Sequence, residues 1–159
     1  MDQLINTTLL VEGFVTLFVI MDPVGTIPIF LSLTGGRSKA AARRAAWQAV
    51  LVSFLVISVF AFFGQQILDY LGVSLPALQA SGGLLLLLVA LELLTGNDEE
   101  TTANSDTNVA LVPLGTPLLA GPGAIVATMV FSRRVHDFPD FAAVALAVIG
   151  VHVSIWLAM

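Results

Sequence analysis

The sequence holds no cysteine, and only six of its 159 residues are lysine or arginine. Without cysteine there are no disulfides, no thiolate metal sites and no cysteine nucleophile, and the redox compartment stays undetermined. So few basic residues, with a formal net charge of −5 and a pI near 4.6, exclude the electrostatic footprint of a nucleic-acid-binding protein. Charge of either sign is scarce. Charged residues make up 11% of the chain, against roughly 25% in a soluble globular domain, so this is not one. No Walker A, dinucleotide fingerprint, nucleophile elbow or HExxH helix occurs, so neither ATP-driven nor recognised hydrolytic chemistry is indicated. The expectation is a non-enzyme with no catalytic residues, no metal site and no bound cofactor. The start, Met1-Asp2-Gln3-Leu4, has no basic n-region, so the first apolar stretch is expected to be a retained span and not a cleaved signal. A sequon stands at Asn6-Thr7-Thr8, a match short enough to arise by chance.

What is present is apolar. Hydrophobic residues reach 57%, with a mean hydropathy of +0.97. A helical span needs about 20 residues to cross roughly 30 Å of hydrocarbon, and five stretches meet that length: roughly residues 7–33, 45–63, 75–94, 109–131 and 141–159. They are continuously apolar and lack the alternation of a membrane barrel, so the expected class is an all-α polytopic membrane protein. The loops differ. Residues 35–44 hold Arg37, Lys39, Arg43 and Arg44; residues 65–74 carry only Asp69; the 97–108 linker is acidic and polar; and residues 133–140 hold Arg133 and Arg134. The positive-inside rule places loop 35–44 in the cytoplasm and the N-terminus outside. Simple alternation then leaves Arg133 and Arg134 outside, against the rule.

An internal repeat resolves the conflict. The first and fourth stretches are interrupted by proline and glycine, at Asp22-Pro23-Val24-Gly25-Thr26-Ile27-Pro28 and at Pro113-Leu114-Gly115-Thr116-Pro117 followed by Ala120-Gly121-Pro122-Gly123. Pro23 and Pro122 lie 99 residues apart, and the stretches that follow open 96 apart. Residues 1–96 read as one three-span repeat and 109–159 as a second with two spans, its sixth span expected beyond Met159. An odd number of spans per repeat inverts the second copy in the membrane.

Asp22 is the sharpest candidate. A mid-membrane carboxylate costs about 2.5 to 3.5 kcal/mol on insertion scales and is a functional hypothesis by default. The competing reading makes Asp22 an N-cap and Pro23 the first residue of a half-helix. Gly121-Pro122-Gly123 repeats the pattern without the charge. Each half-helix start presents unpaired N–H groups and partial positive charge, which suits a carboxylate. Together they describe a site for a small zwitterion: N–H groups after Gly121 for its carboxylate, Asp22 for its ammonium, Thr26 and Thr116 for added hydroxyls. Pro23, Gly25, Pro122 and Gly123 shape the backbone. Asp22 and His152 are candidates for coupling, His152 in competition with a packing role. Glu92 reads as interfacial, and Gln48, Gln79 and Ser81 as interhelical hydrogen-bond glue. Small residues spaced by four (Ala45, Ala49, Ser53; Ala77, Ser81; Ala120, Ala124; Ala143, Ala147) mark close helix contacts.

Residues 19–30 (VIMDPVGTIPIF), 80–85 (ASGGLL) and 112–125 (VPLGTPLLAGPGAI) resemble, in order, the signatures of the MarC family of integral membrane proteins. The resemblance covers nearly the whole chain. It implies a six-span inner-membrane protein of the lysine-exporter superfamily, similar to transporters of small neutral amino acids such as alanine and glycine, coupled to a Na+ or H+ gradient. The expected partners are a small zwitterion and the lipid bilayer, and the pattern is compatible with a homo-oligomer. Alternatives from other classes are a non-transporting membrane accessory protein and an intramembrane enzyme using Asp22 with His152, for which a second midplane aspartate is missing.

Overall fold

The computed structural model describes residues 5–95 and 119–159. Every regular element among them is helical: α1 (Thr7–Met21), α2 (Pro23–Thr34), α3 (Lys39–Leu71), α4 (Leu75–Thr95), α5 (Pro122–Ser132) and α6 (Phe138–Ala158). Among the described residues, three helical stretches are long and apolar enough to cross a membrane: Thr7–Thr34, Lys39–Leu71 and Phe138–Ala158. α4 coincides with the third apolar stretch, and α5 covers the last part of the fourth. The 97–108 linker and the Pro113–Pro117 motif lie outside the described residues.

Helix ends follow capping chemistry, and they lengthen two stretches beyond their apolar limits. Ser38 accepts from the Ala41 N–H, so α3 starts six residues before the apolar run. It ends on Gly72, whose φ of 65° closes the last turn where a side chain would be strained. Asp137 caps α6 through the Asp140 N–H, and Pro139 occupies the first turn, where its missing N–H costs nothing. α6 therefore begins at Phe138 and not at Phe141.

Contacts fix the helix directions. Along α1 and α6, Asn6 meets Asp140, Gly13 faces Ala147, and Phe14 covers Gly150, so these two helices run parallel. Along α3 and α6, Trp47 meets Trp156, Ser53 meets His152, and Phe62 meets Phe141, so α3 runs antiparallel to α6. α5 runs against the direction of α1, with Arg134 reaching Glu12 and Phe131 lying beside Gly13, and it crosses α3 where Ser132 donates to the Ala61 carbonyl and Met129 packs on Gly64. One face of the bundle thus gathers the starts of α1 and α6 with the ends of α3 and α5. The other gathers the start of α3 and the end of α6.

The core is built from the small residues that the four-residue spacing marks. Ala45, Ala49, Ser53, Ala120, Ala124, Ala143 and Ala147 are all buried, letting backbones approach closely. Ala77 and Ser81 are the exception, because both are exposed. In α4 it is Gly82 that is buried, against Pro122 and Val126 of α5. Gln79 is likewise exposed, and Ser81 donates to the Leu78 carbonyl of its own helix, so neither joins two helices among the described residues.

Candidate functional site

Asp22 is the joint between α1 and α2. Its N–H donates to the Phe18 carbonyl and closes α1, while its own carbonyl accepts from the Thr26 N–H and opens α2. Its backbone is left-handed, at φ 40° and ψ 72°, a region that aspartate enters more readily than most non-glycine residues. The carboxylate folds over the new helix start, accepting from the Gly25 N–H at 3.0 Å. A side chain at position 25 would run into that carboxylate, which is why glycine stands there. Pro23 occupies the first helical position and is buried. The cap and the candidate charge therefore coexist in one residue, and Asp22 itself is exposed.

Thr26 turns its hydroxyl to the same joint. It is 2% exposed, and its Oγ1 donates to the Asp22 carbonyl at 2.8 Å. That hydroxyl proton serves the helix joint, so Thr26 supports the turn and offers no free donor to a ligand. Thr116 lies outside the described residues.

The second start differs in one respect. Gly121 is extended, Pro122 takes the first helical position, and no side chain caps α5. Gly123 is buried. Met21 and Ala120, the residues immediately before Asp22 and Gly121, belong to the same buried cluster with Leu17, Leu119 and Ala124. The two helix starts thus rise from one core, one filled by its own carboxylate and the other without a side-chain cap.

His152 sits elsewhere. The α1–α6 register sets it at about the level of Leu17, more than one turn from Asp22, and its ring faces α3. Its Nδ1 lies 2.7 Å from the Val148 carbonyl, an obligate acceptor, so Nδ1 donates. Nε2 of the neutral ring then accepts from Ser53 Oγ at 3.2 Å. Phe54 packs edge-on to the imidazole. Both ring nitrogens are paired, the pattern of a packing histidine, and the structure does not bring His152 to the Asp22 turn.

Sequence reasoning missed a polar clasp at the face where α1 begins. Asn6 accepts from the Leu9 N–H and donates Nδ2 to Asp140 at 2.8 Å. Asp140 also accepts from the His136 N–H. Arg134 pairs with Glu12 at 2.7 Å, both about half exposed. The signal was present as an unexplained asparagine just ahead of an apolar run. The sequon had drawn attention to Asn6 for another reason, and its amide nitrogen is engaged with Asp140. A cavity of about 360 Å³ between α3 and α6 is lined by Phe54, Phe62, Phe141 and Val148, with Ser58 and Ser132. None of the described candidate residues lines it.

The family model described as "MarC family integral membrane protein" matches residues 7–159. Curated relatives carry the same kind of name. UPF0056 membrane protein MJ1677 of Methanocaldococcus jannaschii is 36% identical over 144 residues, covering 86% of this chain and 70% of that protein. UPF0056 membrane protein YhcE of Escherichia coli is 34% identical over 145 residues, with 84% and 67% covered. A UPF0056 membrane protein of Aquifex aeolicus is 36% identical over 148 residues, with 88% and 69% covered. No solved structure matches.

Proposed function

Because the chain belongs to the MarC family of integral membrane proteins, we propose that it is a secondary transporter of small neutral amino acids, of the alanine and glycine type. It would work in the inner membrane by alternating access, coupled to a proton or sodium gradient. The observation that carries the reading is the pair of proline-led helix starts rising from one buried core. The uncapped start of α5 would receive the substrate carboxylate, and Asp22 the ammonium.

An inverted repeat, with a broken first helix in each half, is part of this reading. Residues 99 positions apart play matching roles in it: Pro23 and Pro122 open α2 and α5, and Ser53 and His152 meet across α3 and α6. α3 and α6 run in opposite directions, as do α2, which continues the α1 span, and α5. That is the relation expected of two copies inverted in the membrane. With loop 35–44 cytoplasmic, the start of α1 lies outside.

The bond from Gly25 to the Asp22 carboxylate specifically favours a second reading, in which Asp22 is a cap alone and the protein is a non-transporting accessory. Counterflow of labelled alanine and glycine into proteoliposomes, with Asp22→Asn in parallel, separates the two. Saturable uptake that small neutral amino acids compete and that Asp22→Asn loses supports the transporter. Uptake that survives Asp22→Asn unchanged removes the charge from the mechanism, and no uptake under either gradient favours the accessory role.

A further inference from the structure

The start of α3 carries a feature that amino acid transport does not use. α3 has 33 residues, about 50 Å of helix, against about 30 Å of hydrocarbon. Its charge-free portion, residues 45–68, is about 36 Å long, enough to span the hydrocarbon with little to spare. Lys39, Arg43 and Arg44 therefore stand at headgroup depth, and Trp47 at the boundary, where tryptophan is enriched. These four side chains with Ala40 line an open cleft of about 510 Å³.

The cations are exposed, and the ion pair formed among the described residues, Arg134–Glu12, lies at the opposite face. Below them the exposed row continues at four-residue spacing through Trp47, Leu51 and Leu55, which are 55%, 42% and 54% exposed. The order along the helix is cation, indole, then aliphatic side chains. That order matches a phospholipid standing beside α3, with its phosphate above its acyl chain. A soluble anion would meet only the first part of it.

We propose that Lys39, Arg43, Arg44 and Trp47 form a binding site for the headgroup of an anionic phospholipid, whose acyl chain lies along Leu51 and Leu55. Guanidinium groups pair strongly with phosphate oxygens, and basic residues next to a span attract anionic lipid.

The chain carries its own reporter. Its two tryptophans are Trp47 and Trp156, in edge-to-face contact with ring centroids 6.5 Å apart. The purified chain is reconstituted in phosphatidylcholine vesicles containing acyl-brominated phosphatidylglycerol or acyl-brominated phosphatidylcholine, and tryptophan quenching is followed against mole fraction. Half-maximal quenching is expected at about fivefold lower mole fraction for the anionic lipid, the effect of roughly one basic contact. The combined Lys39→Gln, Arg43→Gln and Arg44→Gln variant is expected to abolish that preference, while Arg133→Gln at the opposite face leaves it intact. Inorganic phosphate in the buffer is expected not to compete.

Equal quenching by the two lipids overturns the proposal, as does a preference that survives the triple variant. An equal loss in Arg133→Gln would make the effect one of net charge, and competition by inorganic phosphate would make it a soluble-anion site. Neutralising Asp98, Glu99, Glu100 and Asp106 tests the acidic linker as the occupant. A preference seen only after that change overturns the proposal.

Discussion

Asparagine separates the two jobs of Asp22. It caps helices as well as aspartate does and tolerates the left-handed backbone, so Asp22→Asn removes the charge and keeps the joint. Asp22→Ala removes both. Thermal unfolding in detergent is expected to leave Asp22→Asn close to the parent and to lower Asp22→Ala by about 1 kcal/mol, the usual worth of a cap. Equal destabilisation by both would mean that the carboxylate's charge holds the fold. This residue was legible in advance because a charge, a proline and a glycine coincide in an apolar run. The partner of His152 was not. Ser53 stands in a row of small residues (Ala45, Ala49, Ser53) whose spacing says only that helices approach, not which hydroxyl meets which ring. Nor does the sequence show where the Thr26 hydroxyl points, since a threonine four residues past a carbonyl in a helix bonds back to it as readily as it faces a ligand.

At the scale of elements, the stretches show in composition and their ends show in capping. Hydropathy put the second span at residues 45–63, while Ser38 and Gly72 extend α3 to Lys39–Leu71. Hydropathy reports where lipid lies, and capping reports where the helix stops. The approach of α3 to α5 is carried by Gly64, where an added Cβ would lie 2.8 Å from Met129 atoms. Gly64→Ala is expected to destabilise the bundle by about 1 to 3 kcal/mol through overpacking. Met129→Ala in the same chain is expected to restore part of that loss. Melting curves of the two variants check this, and an unchanged Gly64→Ala would mean that the thioether simply swings aside.

At the scale of the whole molecule, the helix directions set the two arginine-bearing loops at opposite faces, as the proposed inverted repeat expects. Loop 35–44 holds four cations, whereas Arg134 is tied to Glu12. The natural absence of cysteine makes this testable directly. Ala40→Cys and His136→Cys, both at exposed positions, are expected to react with an impermeant maleimide from opposite sides, Ala40→Cys from the cytoplasm alone. Labelling of both from one side would contradict the topology. Which helix lies beside which, and the clasp of Asn6 on Asp140, could not be read from the sequence, because they depend on contacts between residues from 71 to 134 positions apart.

The central claim is that a zwitterion spans the two helix starts, its carboxylate at α5 and its ammonium at Asp22. Competition against labelled alanine counterflow in proteoliposomes tests it most directly, using unlabelled alanine, alaninamide (no carboxylate) and propionate (no ammonium). The account predicts that alanine competes fully and that neither analogue competes at ten times the concentration, about the loss expected when one charged contact is missing. Competition by alaninamide or propionate equal to that of alanine would contradict it.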